Sequence, residues 1–307
     1  MNEPGKLIAP FSIASIRPPY VARNALLHAG WIEARRGALQ SLLDQSVNRI
    51  AQDRFRFIPP LSQLLYTGLH IEAIWSDFPL DKKYGAIQQA DISFWILTFG
   101  GLIGQELSWR LRWMPTFMFV DDVGAVVGGR ERLGFPKAHA RLTRSSGVEN
   151  DPGLRVEARA MRAFGPGHRL EDQRIFEISP PAAPPEALDW SRAEPRWRDG
   201  AVSEGSGVPA ALLSGLRLPQ VSFPALLMRQ LADGTHPDRA LYRGLEEVEM
   251  TSTQIHRGGW IGDAEIAFDE PATHRIAEMH GLSANTKLRN AVWLVQDFVT
   301  ETARRIV

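Results

Sequence analysis

The sequence predicts an α+β protein in which a strand-rich body lies between two amphipathic helices. Short apolar runs separated by turn signals predict the body between about residues 55 and 280. Within it, residues 154–161 alternate apolar and polar side chains, which is typical of a strand with one solvent-exposed face. Apolar residues at helical spacing predict one helix over residues 36–51 and a closing helix over residues 283–307.

Composition fits a globular protein, and we expect a single domain over residues 1–307. The chain has 307 residues, of which 44% are hydrophobic and 23% are charged. Residues 1–54 are expected to form an N-terminal extension that carries the first helix and is irregular before it. The proline-rich stretch Ser179–Pro185 predicts a surface connection, and a domain boundary at that stretch is the alternative to a single domain.

The strands of the body are predicted from their apolar runs. They lie at residues 61–74, 92–104, 116–120, 125–127, 154–161, 221–231, 240–248, 253–256 and 264–268. The run at 92–104 is the longest, and its lack of charge is typical of a buried strand. Asp233-Gly234 lies between two of the runs and predicts a chain reversal.

Charge and residue usage exclude several classes of partner. Lys+Arg and Asp+Glu both number 35, so no net field favours nucleic acid or an anionic membrane surface. The chain has no cysteine, which removes disulfides, thiolate metal sites and cysteine nucleophiles. The first residues lack the pattern of a signal peptide, and no apolar run reaches the roughly 18 to 20 residues that span a bilayer. We therefore expect a cytoplasmic protein that acts on a small molecule.

Common cofactor and metal motifs are missing from the sequence. The glycine pairs at 100–101, 128–129 and 258–259 do not form a dinucleotide fingerprint, and no phosphate-binding loop occurs. The eight histidines are scattered, with no pair at the spacing that places two ligands on one helical face. The sequence therefore predicts neither a cofactor nor a metal ion.

One segment remains as a candidate for chemistry. Phe117-Met118-Phe119-Val120 leads into an acidic pair and a glycine-arginine-glutamate turn, which ends in Gly134-Phe135-Pro136-Lys137. Because proline fixes φ and restrains the residue before it, a lysine that follows such a turn has little freedom. Apolar neighbours, among them Phe117 and Phe119, are expected to desolvate Lys137 and to line a substrate pocket. A solvated loop lysine is the alternative for an isolated Pro-Lys pair.

This segment resembles the hallmark of the acetoacetate decarboxylase superfamily, in which Gly-Arg-Glu precedes Gly-Phe-Pro-Lys at a fixed spacing. The matching residues are Gly129-Arg130-Glu131 and Gly134-Phe135-Pro136-Lys137, and the resemblance covers about residues 55 to 280. It implies a mostly antiparallel, closed or cone-like β-barrel with flanking helices, which assembles into homo-oligomers. An all-β sandwich with peripheral helices is the alternative fold. The resemblance also implies that Lys137 forms a Schiff base with a keto acid.

Further site residues are implied by the same resemblance. The family places a carboxylate upstream of the motif, where it moves protons for imine formation, and Asp91 is the best match, although shorter than the usual glutamate. A second family carboxylate corresponds to Glu72. Arg130 is expected to bind substrate, and pairing with Glu131 or with the backbone is its alternative role. The family arginine that meets the substrate carboxylate stays unassigned.

Two departures from the family pattern leave the reaction open. Family members commonly have a second lysine directly after the first, where this chain has Ala138. A neighbouring cation or desolvation activates such a lysine, so burial or a cation such as Arg130, Arg132 or His139 must replace the second ammonium. Together with the short side chain of Asp91, this places decarboxylation of a β-keto acid first among three hypotheses. Aldol addition, dehydration or cyclisation of 2-oxo acids is the second hypothesis, and non-catalytic carbonyl binding is the third.

Overall fold

Strands of one sheet dominate the chain. The computed structural model describes residues 16–180, 221–236 and 238–307. The strands are β1 (Tyr20–Glu33), β2 (Phe55–Ile58), β3 (Gln63–Ser76), β4 (Ile87–Leu102), β5 (Arg110–Val120), β6 (Lys137–His139), β7 (Arg141–Arg144), β8 (Leu154–Ala160), β9 (Glu171–Ser179), β10 (Val221–Ala232), β11 (Ala240–Phe268), β12 (Asn285–Thr300) and β13 (Arg304–Arg305). The helices are α1 (Arg36–Gln45), α2 (Val47–Ala51), α3 (Val123–Gly128) and α4 (Ile276–His280). A π-helical turn, Gly129–Leu133, continues α3, and single 3-10 turns lie at Lys82–Tyr84 and Glu106–Ser108.

Seven of these strands close into a ring in the order β10-β5-β4-β3-β1-β12-β11, and β10 pairs back with β11. Neighbours in the ring are antiparallel, except that β10 meets β5 through one parallel bridge between Ala225 and Trp113. Beyond the ring, β9, β8 and β7 extend the sheet from β11. The predicted α+β class and the predicted closed, mostly antiparallel sheet are confirmed.

Parts of the ring strands are buried on both faces. Along β4, Ile92 and Phe94 pack in the larger apolar core together with Leu39 of α1. The alternate residues Asp91 and Trp95 face a cavity that all seven strands of the ring line. Since successive side chains of a strand point to opposite faces, residue parity decides whether a position contributes to the core or to the cavity.

The predicted closing helix over residues 283–307 is wrong, because residues 285–300 form β12, which lies between β1 and β11. Leu294 of this strand lines the cavity, whereas Trp293 and Val295 pack in the larger apolar core. A strand that is buried on both faces has no strict period of two. Its apolar residues therefore also matched the spacing of a helix.

The N-terminal part also differs from the prediction. Residues 20–33, expected to be irregular, form β1, which pairs with β3 along its whole length and with β12 on its other edge. The helix predicted over residues 36–51 is confirmed, with a break at Ser46 that divides it into α1 and α2. The hydroxyl of Ser46 donates to the carbonyl of Leu42 at 2.5 Å, a contact that competes with the helical hydrogen-bond pattern.

Two smaller corrections concern the body. The apolar run at 125–127, predicted as a strand, belongs to α3, whose N-cap residue Asp122 accepts a hydrogen bond from the Ala125 backbone at 2.6 Å. The separate strands predicted at 253–256 and 264–268 are parts of the single long strand β11. The reversal at Asp233-Gly234 is confirmed, because it joins the antiparallel strands β10 and β11.

Other expectations stay predictions. Residues 181–185 of the proline-rich connection lie outside the described residues, so the domain boundary considered there and the single domain over residues 1–307 are both untested. Within the three described ranges, no helix combines the length and apolar character that a membrane span requires.

Candidate active site

A cavity of about 770 Å³ lies inside the ring and contains a buried lysine beside a buried carboxylate. The Nζ atom of Lys137 lies 3.4 Å from Oδ2 of Asp91. Only 9% of the lysine side chain and 11% of the aspartate side chain are exposed. The amine and the carboxyl group are therefore held together where little water can reach them.

Lys137 is positioned by short-range hydrogen bonds and by its strand. The π-helical turn after α3 ends at Gly134, whose φ of +84° a residue with a side chain rarely adopts. The backbone N–H of Phe135 then donates to the carbonyl of Gly129 at 3.0 Å. The chain next enters β6, where Lys137 lies opposite Met118 of the parallel strand β5. Both of these side chains line the cavity.

Asp91 lies in the middle of the sheet on β4. Its Oδ2 accepts a hydrogen bond from Nε2 of Gln89 at 2.6 Å, besides the longer contact with Lys137. Its Oδ1 is buried and has no hydrogen-bond partner among the described residues. Burial raises the pKa of the Asp91 carboxyl, while Lys137 and Gln89 act in the opposite direction. A carboxyl with one free oxygen and such opposing influences is suited to taking up and returning a proton.

Of the predicted site residues, only Lys137 and Asp91 meet in the cavity. Glu72 was expected to be catalytic, but its side chain is exposed and is absent from the cavity wall. Its neighbour Ile71 does line the cavity, so alternation along β3 turns Glu72 outward. Glu72 was predicted to be catalytic, and its place outside the cavity corrects that prediction.

Phe117 and Phe119 are not part of the cavity wall either. Phe119 is fully buried in the larger apolar core, where its ring lies 6.0 Å from that of Phe176. Phe117 packs against the same core and lies 5.8 Å from the ring of His280. Met118, between the two phenylalanines, lines the cavity in their place. The sequence predicted that both phenylalanines contact the substrate. Their positions outside the cavity wall correct this prediction.

Arg130 was expected to bind substrate, but its side chain is exposed and lies outside the cavity wall. Its Nη1 donates to the backbone carbonyl of Lys137 at 3.5 Å, a long contact that matches its alternative role as support for the turn. Ala138 of β6 pairs with Phe119 of β5 and packs toward the larger apolar core. The position that carries a second lysine in the family therefore faces away from Nζ of Lys137.

Sequence reasoning missed several cavity residues that share a strand or a loop with the predicted ones. Gln89 and Trp95 have the same parity as Asp91 on β4, which was a usable signal once the strand was recognised. Phe135 belongs to the central motif but was not assigned a role. Within the described residues, no group of three or more histidine, aspartate or glutamate side chains is arranged to hold a metal ion.

Among the comparisons with known proteins, the one with solved structures identifies similar folds. No protein-family model matches the sequence, and no curated protein matches it either. An acetoacetate decarboxylase from Legionella pneumophila subsp. pneumophila str. Philadelphia 1 superposes with a TM-score of 0.63 at 14% identity, over 100% of this chain and 92% of that chain. An acetoacetate decarboxylase-like enzyme from Sphingomonas wittichii RW1 gives a TM-score of 0.55 at 14% identity, over 95% of this chain and 94% of that chain.

A third similar structure is the enduracididine biosynthesis enzyme MppR in complex with pyruvate. Its TM-score is 0.57 at 11% identity, over 95% of this chain and 91% of that chain. At such low identity the likeness concerns the fold alone. The chain therefore has the acetoacetate decarboxylase-like fold, with the Lys137–Asp91 pair inside its ring of strands.

Proposed function

We propose that the protein is a lysine Schiff-base lyase, in which Nζ of Lys137 forms an imine with the carbonyl carbon of a keto acid. The observation that carries this proposal is the buried contact of 3.4 Å between Lys137 and Asp91 in the cavity inside the ring. A nucleophilic lysine needs a nearby group that can take its proton and an environment with little water. The fold shared with acetoacetate decarboxylase supports the same chemistry.

Imine formation uses both residues of the pair. Transfer of a proton from Nζ of Lys137 to Oδ2 of Asp91 frees the nitrogen lone pair, which adds to the carbonyl carbon. A proton passes from nitrogen to oxygen within the adduct. Asp91 then returns its proton to the resulting hydroxyl, which leaves as water while the nitrogen–carbon double bond forms. General acid–base transfer of this kind contributes about 10² to 10⁴ in rate.

Decarboxylation of a β-keto acid is the first candidate reaction. The bond between the carboxylate and the α-carbon breaks, its electron pair moves toward the imine nitrogen, and carbon dioxide leaves. The resulting enamine takes at carbon a proton that comes from solvent, and water then hydrolyses the imine to release a ketone and free Lys137. The unpartnered Oδ1 of Asp91 is available to hold that water or to deliver the proton.

Aldol-type condensation of a 2-oxo acid is the second candidate. MppR, which has the same fold, has been captured with the condensation product of pyruvate and imidazole 4-carboxaldehyde. Both candidates begin with the same imine at Lys137.

Borohydride reduction tests the proposal. The protein is incubated with acetoacetate or with pyruvate, reduced and digested, and the peptide that contains Lys137 is expected to carry the reduced adduct. Lys137→Met is expected to abolish the adduct, and Lys287→Met, which changes an exposed lysine, is the matched control. Absence of an adduct at Lys137 with any carbonyl compound would overturn the proposal and leave a non-catalytic binder.

Measurement of carbon dioxide release against the carbon count of the product then separates the two candidate reactions. We also propose that the protein acts in the cytoplasm as a homo-oligomer and that it needs no cofactor, because the imine itself serves as the electron sink. Light scattering of the purified chain tests the oligomeric state.

A further inference from the structure

We infer that the carbonyl substrate carries a long apolar or aromatic substituent, an inference that rests on the proposed function. Three features of the cavity lead to it. They are the cavity volume, the aromatic wall beside the lysine, and the distribution of charged groups.

The volume is too large for a small keto acid. A cavity of about 770 Å³ equals the space of roughly 25 molecules of liquid water at about 30 Å³ each. Cavities of about 300 to 1,000 Å³ accommodate drug-sized ligands. A four-carbon keto acid attached to Lys137 would fill a small part of this space and leave most of the wall in contact with water.

The wall next to the lysine is aromatic and continuous. Nζ of Lys137 lies 5.8 Å from the centre of the Phe135 ring, which in turn lies 6.4 Å from the Trp95 ring. The Phe223 ring follows at 5.2 Å from Trp95 and stacks on Trp113 at 4.9 Å. Four aromatic side chains therefore lead away from the reacting nitrogen, and all four line the cavity.

The aromatic wall ends at Trp31, whose ring lies 5.9 Å from that of Trp113. Trp31, Trp95 and Trp113 are each at least 95% buried. Indole rings that face a cavity offer large flat apolar surfaces, which gain most from contact with an apolar group. A substituent attached to the imine carbon can therefore extend along the whole series of rings.

Charge in the cavity is confined to the reacting end. In the described part of the wall, the charged side chains are Lys137, Asp91 and Asp122, and no arginine or histidine lines it. Asp122 is occupied as the N-cap of α3. A charged tail on the substrate would have no partner along the aromatic wall, and burying an unpaired charge is strongly unfavourable. The substituent is therefore uncharged.

A homologous series of carbonyl compounds tests the inference on the unmodified protein. Acetone, 2-butanone, 2-hexanone, 2-octanone and 4-phenyl-2-butanone are each titrated, and the extent of borohydride-trapped adduct at Lys137 gives an apparent affinity. We expect affinity to rise about four-fold for each added methylene until the cavity is filled. The phenyl compound is expected to bind more tightly than 2-butanone by 10-fold or more.

The outcomes separate this inference from the proposed function. Adducts that form at Lys137 with an affinity independent of chain length, or falling with it, would overturn the inference and leave the Schiff-base proposal intact. Absence of any adduct at Lys137 would overturn both. An affinity that rises with chain length supports both.

A variant of the aromatic wall adds a second test. Phe223→Ala removes the ring between Trp95 and Trp113, and we expect the ratio of 2-octanone affinity to acetone affinity to fall at least five-fold. Because both ketones are measured on one preparation, a partly unfolded variant does not alter this ratio. Phe164→Ala, which changes a phenylalanine that is 69% exposed and outside the cavity, is the matched control. An unchanged ratio in Phe223→Ala would contradict the role given to the aromatic wall.

Discussion

Gly129 and the aliphatic part of Lys137 lie in direct contact. A Cβ atom placed on Gly129 would lie 2.5 Å from Cδ and 2.9 Å from Cε of the lysine. Real Cβ atoms do not come so close to a neighbour, so the lysine occupies the space that a side chain at position 129 would need. The first glycine of the Gly-Arg-Glu sequence therefore determines where the reacting nitrogen lies.

Gly129→Ala is expected to displace Nζ of Lys137 from Asp91 and to lower the rate of borohydride trapping by 10-fold or more, since a shift of about 1 Å can reduce a rate about 10²-fold. Gly147→Ala is the matched control, because no atom lies within 4 Å of the added methyl group. Equal trapping rates in the two variants would contradict the contact described above. Circular dichroism of both variants checks that the fold is kept.

Asp91→Asn is expected to slow adduct formation by about 10² to 10⁴, the usual contribution of one proton-transfer group. The amide keeps the size of the side chain but cannot accept the proton of Lys137. Glu72→Gln makes the same chemical change at an exposed position on β3 and is expected to trap at the unmodified rate. If Glu72→Gln were the slower variant, the assignment of the carboxylate would be wrong.

The rate of adduct formation is expected to fall on acidification at a pH above the ordinary range of aspartate. Burial raises the pKa of Asp91, so its basic form is lost at a higher pH than the usual value of about 3.9. A profile of trapping rate against pH measures this acid limb. In Asp91→Asn this fall of the rate at acidic pH is expected to disappear. If the fall is unchanged by the substitution, it reports the protonation of another group.

The protein is expected to lose stability as the pH falls from about 6.5 toward 4. Burial lowers the pKa of His28, His70 and His280 to about 4 each. Between the two values the unfolded chain binds protons that the folded chain does not, so the free energy of unfolding decreases as the pH falls. The slope is about 1.4 kcal/mol per pH unit for each histidine.

Urea unfolding at pH 7 and pH 5 measures this loss, and His28→Gln is expected to reduce it, because the substitution removes one of the histidines whose pKa burial lowers. His168→Gln, at an exposed position, is the matched control. A pH dependence that is the same in both variants would contradict the contribution of His28.

Glu247→Gln is expected to lower the free energy of unfolding by about 3 to 5 kcal/mol, the usual cost of breaking a buried ion pair. Its Oε2 lies 2.5 Å from Nε of Arg112, and about 5% of each side chain is exposed. Glu149→Gln breaks an exposed pair with Arg257, for which less than about 1 kcal/mol is expected. Urea titration of the two variants compares the costs, and equal costs would contradict the role of burial.

The alternation of side chains along strands limits which residues of the site the sequence could predict. Lys137 could be identified because its motif is local, and Asp91 because the family resemblance implied a carboxylate at the start of the strand upstream of that motif. Phe117 and Phe119 were assigned to the wrong face because alternation states that neighbours differ, but not which face becomes the cavity. That choice depends on the strands that pair later, and no local pattern contains it.

Long strands of the ring were harder to recognise than short ones. Val292, Val295 and Val299 matched a helix because β12 is buried on both sides, although β-branched residues are typical of strands. Conversely, residues 125–127 were read as a strand because valine dominates them, whereas the capping by Asp122 starts a helix. Burial within the folded sheet makes residues 285–300 a strand. The hydrogen bond to Asp122 makes residues 123–128 a helix, although their β-propensity favours a strand.

The pairing of β1 with β12 joins strands that lie at opposite ends of the described chain. Pairings of such long sequence separation form late, because the entropy of closing the loop is lost before any contact is gained. A nascent chain therefore carries Lys137 in an open half-ring for most of its synthesis, with the edge of β1 unpaired. Such an edge can pair with other chains, so this fold is expected to need protection against aggregation until its last long strand has emerged.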